Sequence, residues 1–303
     1  MKGFFKFVLI FAVILLLSAV LAPFFYVWLP KFLGLFGFDK IYKFERVFQR
    51  IVMIGTLVAA VLFVRIRKET LVRFGLLWNT RSLGLFKTGF FTGLVLLGSV
   101  GALRVYAGQA VFAPDSFPWV VWGGKILAAL ATGLLIGIME EFFFRGFVFR
   151  SLLKTFGNRV FLSILVTTVF YSLIHFIGIK KIFVDQTPSV VDSFRLMTAP
   201  FLSLAAWPKF WPQAVGLFFF GWALNTAAYR SGSLYASIGL HAGCVFFVRL
   251  DDIFMKQHQK WSLFWGSKIL YDGILGWGFL ILMTALVWIL LKPSASEAPK
   301  GNV

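Results

Sequence analysis

Apolar residues in this chain are gathered into blocks of about twenty, the length that crosses ~30 Å of hydrocarbon as a helix. The first block runs from Phe7 to Ala22 and continues through Trp28, and further blocks cover Val47 to Val64 and Leu83 to Val105. A fourth starts near Trp119 and continues past two adjacent glutamates toward Leu153. Others cover Val160 to Ile177, Gln213 to Tyr229, Ser233 to Val248 and Ile274 to Leu291. The pattern predicts an all-α polytopic transmembrane bundle of about eight spans. Between the blocks, Gly108 to Pro118 reads as a short loop. Gly178 to Pro212, with its prolines and with Trp207 and Trp211, reads as a re-entrant or interfacial segment. The chain divides into three N-terminal spans (1–110), a chemical core (111–250), and a loop, last span and polar, disordered tail (251–303). No internal repeat and no soluble domain is visible.

The first block follows Lys2 and Lys6, as in a secretory signal, with Val20 and Ala22 as a small-residue cleavage site. Pro23 in the next position and the apolar run beyond it favour an uncleaved first helix.

Composition agrees with the block pattern. The chain is 59% hydrophobic and 14% charged, with mean hydropathy +0.86. Soluble domains carry roughly 45–50% apolar and about 25% charged residues. The 30 basic residues against 12 acidic ones could point to nucleic acid, but the cations sit between apolar blocks and form no contiguous patch. They are read as loop ends that touch anionic headgroups of the lipid bilayer, the chain's first partner. With an N-terminus inside, the basic Arg65–Arg81 loop and the Arg150–Arg159 turn face the cytoplasm. Cys244 is the single cysteine, which excludes an internal disulfide and a cysteine-cluster metal site. It and His258, in a polar loop, are read as packing and surface residues.

The chemistry is carried by residues that an apolar helix does not ordinarily hold, since a charge at mid-span costs ~2.5–3.5 kcal/mol. The fourth block reads Ile138-Met139-Glu140-Glu141-Phe142-Phe143-Phe144-Arg145-Gly146. At about 100° per residue, Glu140 and Glu141 point in different directions. Glu141 and Arg145 are four apart, in the favourable acid-first order for an ion pair. Phe144 holds the corresponding place after Glu140, and a carboxylate in such surroundings suits a general base. One glutamate reads as structural and the other as chemical. On the fifth block Thr168, Tyr171 and His175 make a polar stripe, and on the seventh Ser233, Ser237 and His241 make another. Asn225 lies on the sixth. One isolated stripe of this kind is more often interhelical glue worth ~0.6 kcal/mol. The Glu pair, the arginine and two histidines in apolar blocks together outweigh that reading.

These residues resemble a known family. Glu140-Glu141-x-x-x-Arg145, an aromatic-x-x-x-His at Tyr171 to His175, and His241 after Ser231-Gly232-Ser233-Leu234 are similar to the CAAX prenyl endopeptidase and bacteriocin-processing (CPBP) family, also called Abi. The resemblance covers roughly Gly124 to Val248. It implies an intramembrane protease in which Glu140 activates water with help from His175, and His241 stabilises the oxyanion. It further implies a membrane-anchored or lipid-modified protein or peptide as substrate. Glu plus two His is also a zinc ligand set, so zinc at Glu140, His175 and His241 is the alternative to a cofactor-free site. The metal-free scheme is preferred, because Glu141, taken by Arg145, would otherwise be the carboxylate left to act as base.

One departure from the family pattern stands out. Asn or Asp usually follows the last histidine by four residues and shares oxyanion binding; here that place holds Val245. Losing one such donor costs ~10²–10³ in rate. Asn225, Ser237, Cys244 or Tyr171 would have to substitute, or the chain is a non-catalytic scaffold or immunity-type protein on the same fold. A proton-coupled transporter using Glu140 and the histidines as a relay is a third possibility, without a repeat or broken-helix pair to support it.

Overall fold

Most of the apolar blocks become single helices, and the computed structural model describes them over residues 2–35, 43–66, 75–114, 118–176, 187–203, 207–257 and 261–291. The helices are α1 (Lys2–Gly34), α2 (Phe44–Ile66), α3 (Ser82–Tyr106), α4 (Trp119–Glu141), α5 (Arg150–Thr155), α6 (Val160–Ile174), α7 (Val190–Ser203), α8 (Trp207–Ser231), α9 (Leu234–Phe254) and α10 (Ile274–Leu290). Among the described residues the fold is all-α apart from two three-residue strands. His258 and the polar tail lie outside the described residues, as does part of the basic Arg65–Arg81 stretch.

Four described helices are long and apolar enough to cross a membrane: Ala12–Phe32 within α1, α3, the continuous Trp119–Thr155, and α9. The eight expected spans are therefore not all matched by helices of that kind. Helix α6 has 15 residues and α10 has 17, which at ~1.5 Å per residue gives about 22 and 26 Å against ~30 Å of hydrocarbon. Helix α8 is long enough, but Gln213, Asn225, Thr226 and Arg230 dilute its apolar character. Asn225 and Thr226 are buried, so their polarity faces protein.

The chain forms two compact units. One holds residues 1–70 and 174–209, the other 71–173 and 210–303. In the first, Ala19 and Ala22 of α1 pack with Phe44 and Phe48 of α2 and Leu196 of α7. Helix α7, at 14 residues, is too short to span by itself.

The second unit is organised around α9. Its apolar window is 61% buried, against 17–28% for the other three long apolar helices. Small residues let neighbouring backbones close on it. Gly89 and Gly93 of α3 sit against the backbone of Ala236 and Leu240, while Gly239 and Gly243 of α9 sit against the Phe86 and Phe90 carbonyls. On α4, Gly133 and Gly137 face the backbone of Ile238, Ala242 and Phe246. The connection from Gly108 to Pro118, expected as a loop, contains strand β1 (Ala110–Phe112). It pairs antiparallel with β2 (Met255–Gln257), Val111 opposite Lys256. The register was not visible beforehand because the partner strand lies about 145 residues later in a chain read for helices.

The helix that carries the glutamates also departs from a simple rod. Between α4 and α5, Phe142–Phe149 winds as a π-helix, and the rod continues without a break from Trp119 to Thr155. Such turns are frequent at functional sites.

Candidate active site

The close approach of α9 to α4 fixes the centre of the site. Gly137 lets the α4 backbone come up to Ile238 and Ala242, on either side of His241. One turn further along the same rod, Glu141 Oε1 lies 2.9 Å from His241 Nδ1. Arg145 Nη1 donates to the same oxygen at 2.8 Å. Glu141 and Arg145 are fully buried and His241 nearly so. One carboxylate thus joins an arginine to a histidine across two helices. Glu141 accepts a hydrogen bond from the imidazole Nδ1–H, and Nε2 points elsewhere.

It points toward the other glutamate. His241 Nε2 is 3.9 Å from Glu140 Oε2, and the Glu140 side chain is 30% exposed while Glu141 is closed off. The two adjacent carboxylates therefore occupy different environments: one inside a buried ionic chain, one at its accessible end.

Around this centre, Arg145 Nη2 donates to the Gly221 carbonyl at 3.2 Å, tying the π-helical segment to α8. The Arg145 guanidinium lies over the Tyr171 ring, 4.4 Å from its centroid. Tyr171, on α6, is almost wholly buried and meets Phe144 edge to face. Gly221 has no room for a side chain, since a Cβ there would come within 2.9 Å of the Tyr171 ring. Phe220 closes over the histidine, its ring 5.2 Å from the His241 ring and nearly perpendicular to it.

The remaining sequence candidates are placed as follows. Asn225 is fully buried and its amide nitrogen donates to Thr168 Oγ1 at 2.9 Å, joining α8 to α6. Ser237 is buried and donates within its own helix to the Leu234 carbonyl. Ser233 caps α9, accepting from the Tyr235 amide. Cys244 is buried with its sulfur toward Gly93 of α3. His175 follows the last residue of α6 instead of lying within a helix; it belongs to the first unit and is exposed. Among the described residues no three His, Cys, Asp or Glu side chains are placed together so as to hold a metal ion.

Several contributors carried no earlier signal. The bond between Glu141 and His241 joins residues 100 apart, and helix periodicity speaks only of neighbours three and four apart. The Gly-x-x-x-Gly pairs at 89/93, 133/137 and 239/243 were readable as a small-residue pattern and identify the helices that meet.

Residues 122–247 match a family model described as type II CAAX prenyl endopeptidase Rce1-like. No curated protein and no solved structure matches the chain. The matched stretch begins just inside α4 and ends within α9, so it contains Glu140, Glu141, Arg145, Tyr171, His175, Asn225 and His241.

Proposed function

We propose, from the premise that residues 122–247 belong to the CPBP family of CAAX-type intramembrane proteases, that this multi-pass chain hydrolyses a peptide bond of a membrane-anchored or lipid-modified protein, with Glu140 activating the water. The observation that carries the reading is the pairing of Glu140 with His241 Nε2 at 3.9 Å, at the accessible end of a buried Arg145–Glu141–His241 chain. Two groups at that separation can both reach one water at ~2.8 Å, a usual hydrogen-bond length. Glu140 takes a proton from that water as its oxygen attacks the peptide carbonyl, and the proton passes from Glu140 to the leaving amine. His241 donates to the carbonyl oxygen from Nε2, which requires both ring protons. That form places Arg145 and His241 opposite Glu140 and Glu141, two charges of each sign. The Glu141 contact holds the imidazole in position.

No metal is needed for these steps. The rival zinc scheme predicts loss of cleavage on chelation and recovery with zinc, whereas the glutamic scheme predicts a rate indifferent to both. The part that the resemblance gives His175 rests on the resemblance alone and is checked by His175→Ala.

The deciding experiment compares new protein termini in membranes carrying wild type or Glu140→Gln at matched expression. Termini that depend on wild type identify the substrate and the cleaved bond together. Full cleavage by Glu140→Gln refutes the assignment. The scaffold reading draws on Val245, which offers no hydrogen-bond donor one turn after His241. It predicts that a Glu140→Gln/His241→Ala pair leaves the biological role intact.

A further inference from the structure

The missing donor at Val245 has a structural answer outside the family-matched segment. The four substitutes that the sequence offered are all engaged elsewhere. The Asn225 amide is given to Thr168, the Ser237 hydroxyl to Leu234, and the Cys244 sulfur faces α3. Tyr171 is buried beneath the Arg145 guanidinium.

Residues 261–273, ahead of α10, form a hydrogen-bonded turn that carries one further hydroxyl, that of Tyr271. Asp272, fully buried, accepts from the Ser267 amide and hydroxyl at 2.6 Å each. Trp261 Nε1 donates to the Asp272 carbonyl, and Ile274 and Leu275 amides return to the Leu263 and Phe264 carbonyls. Trp277 Nε1 donates to the Pro212 carbonyl at 3.3 Å, fastening the start of α10 to α8. The residue thereby presented is Tyr271. Its backbone and ring lie directly on Gly216, where any side chain would collide with them. Gly216 and Phe220 are one turn apart on the same face of α8, and Phe220 packs on the rings of His241 and Tyr171. The Tyr271 ring thus lies on the α8 face that carries Phe220, one turn from the residue that packs on the catalytic histidine. Burial, then Asp272, then Glu140, push the Tyr271 phenol up to about 12, so the hydroxyl keeps its proton and is a donor at working pH.

We propose that the Tyr271 hydroxyl is a catalytic hydrogen-bond donor of this site, giving the peptide oxyanion the contact that Val245 cannot. The proposal rests on the hydrolytic reading above and adds to it a residue outside the family-matched segment. No proton is transferred: the phenol donates a hydrogen bond as the carbonyl oxygen gains charge, and releases it when the amine leaves.

Two measurements on the full chain test it. In the first, 3-fluorotyrosine replaces Tyr271 and its fluorine resonance is compared in wild type and Glu140→Gln. A shifted resonance is expected; an unchanged one overturns the proposal whether or not a substrate is in hand. In the second, cleavage of a quenched peptide ending in a prenylated cysteine and three further residues is followed in vesicles. Tyr271→Phe, which keeps the ring on Gly216, should lower kcat by ~10²-fold, the cost of one oxyanion donor, with KM unchanged. Adding Val245→Asn to Tyr271→Phe should recover at least ten-fold, which a purely structural role for the ring would not permit. Wild-type kcat in Tyr271→Phe, with Glu140→Gln inactive, overturns this proposal and leaves the hydrolytic reading standing. Full activity in Glu140→Gln overturns the hydrolytic reading itself, and this donor role with it.

Discussion

At the scale of residues, the Glu141 carboxylate decides most. It accepts from Arg145 and His241 through one oxygen inside a fully buried setting. Removing one member of such an arrangement leaves an uncompensated charge, which costs ~3–5 kcal/mol, whereas apolar replacement of both ions can be neutral or better. Arg145→Ala should therefore lower thermal stability in detergent by an amount of that order. The pair Glu141→Leu/Arg145→Met should recover much of the loss. Cleavage should nevertheless stay absent in the pair, because His241 has lost its Nδ1 partner. A fully active pair would show that the carboxylate serves only to neutralise the arginine. Spacing alone made the Glu141–Arg145 partnership legible, since i and i+4 always share a helix face. The third member was not legible, because no local rule connects position 141 to position 241.

At the scale of elements, the site depends on how closely α9 lies on its neighbours. Gly239 has the Phe86 carbonyl where a methyl would go, and a backbone carbonyl cannot turn aside as a long side chain can. Gly239→Ala should cost ~1–3 kcal/mol, the usual penalty for overpacking, and should displace His241, two residues on. Gly84, on the same partner helix α3, has open space at its Cβ position. Gly84→Ala should instead be neutral or stabilising by ~0.5–1 kcal/mol. Melting temperatures of the two variants in one detergent check this, and equal effects would mean that the α3–α9 contact is not tight. The helices themselves were largely readable from apolar block length. Their ends were read less well: α6 stops at Ile174, so His175 falls outside it. The π-helical turn at Phe142–Phe149 was unreadable, since its sequence, five phenylalanines with Arg145, Gly146 and Val148, differs in no local preference from an α-helical one.

At the scale of the molecule, the family-matched segment is smaller than the unit that supports it. Residues 122–247 contain the ionic chain, but α3 lies outside them and supplies the surface on which Gly239 and Gly243 close. The 261–273 segment and α10 also lie outside, and Tyr271 of that segment covers Gly216. Removing them would uncover Gly216 on α8 and leave the β1–β2 pair in place, since β2 precedes the cut. A chain ending at Gln257 should therefore still insert into membranes, because its long apolar helices are intact. It should lose the Asp272 anchor and with it Tyr271, so cleavage should fall at least as far as in Tyr271→Phe. Size-exclusion elution should also broaden as the exposed α8 face associates with other copies. Wild-type cleavage by the shortened chain would mean that the matched segment and α3 suffice. The chemistry would then have to draw its second oxyanion donor from within them.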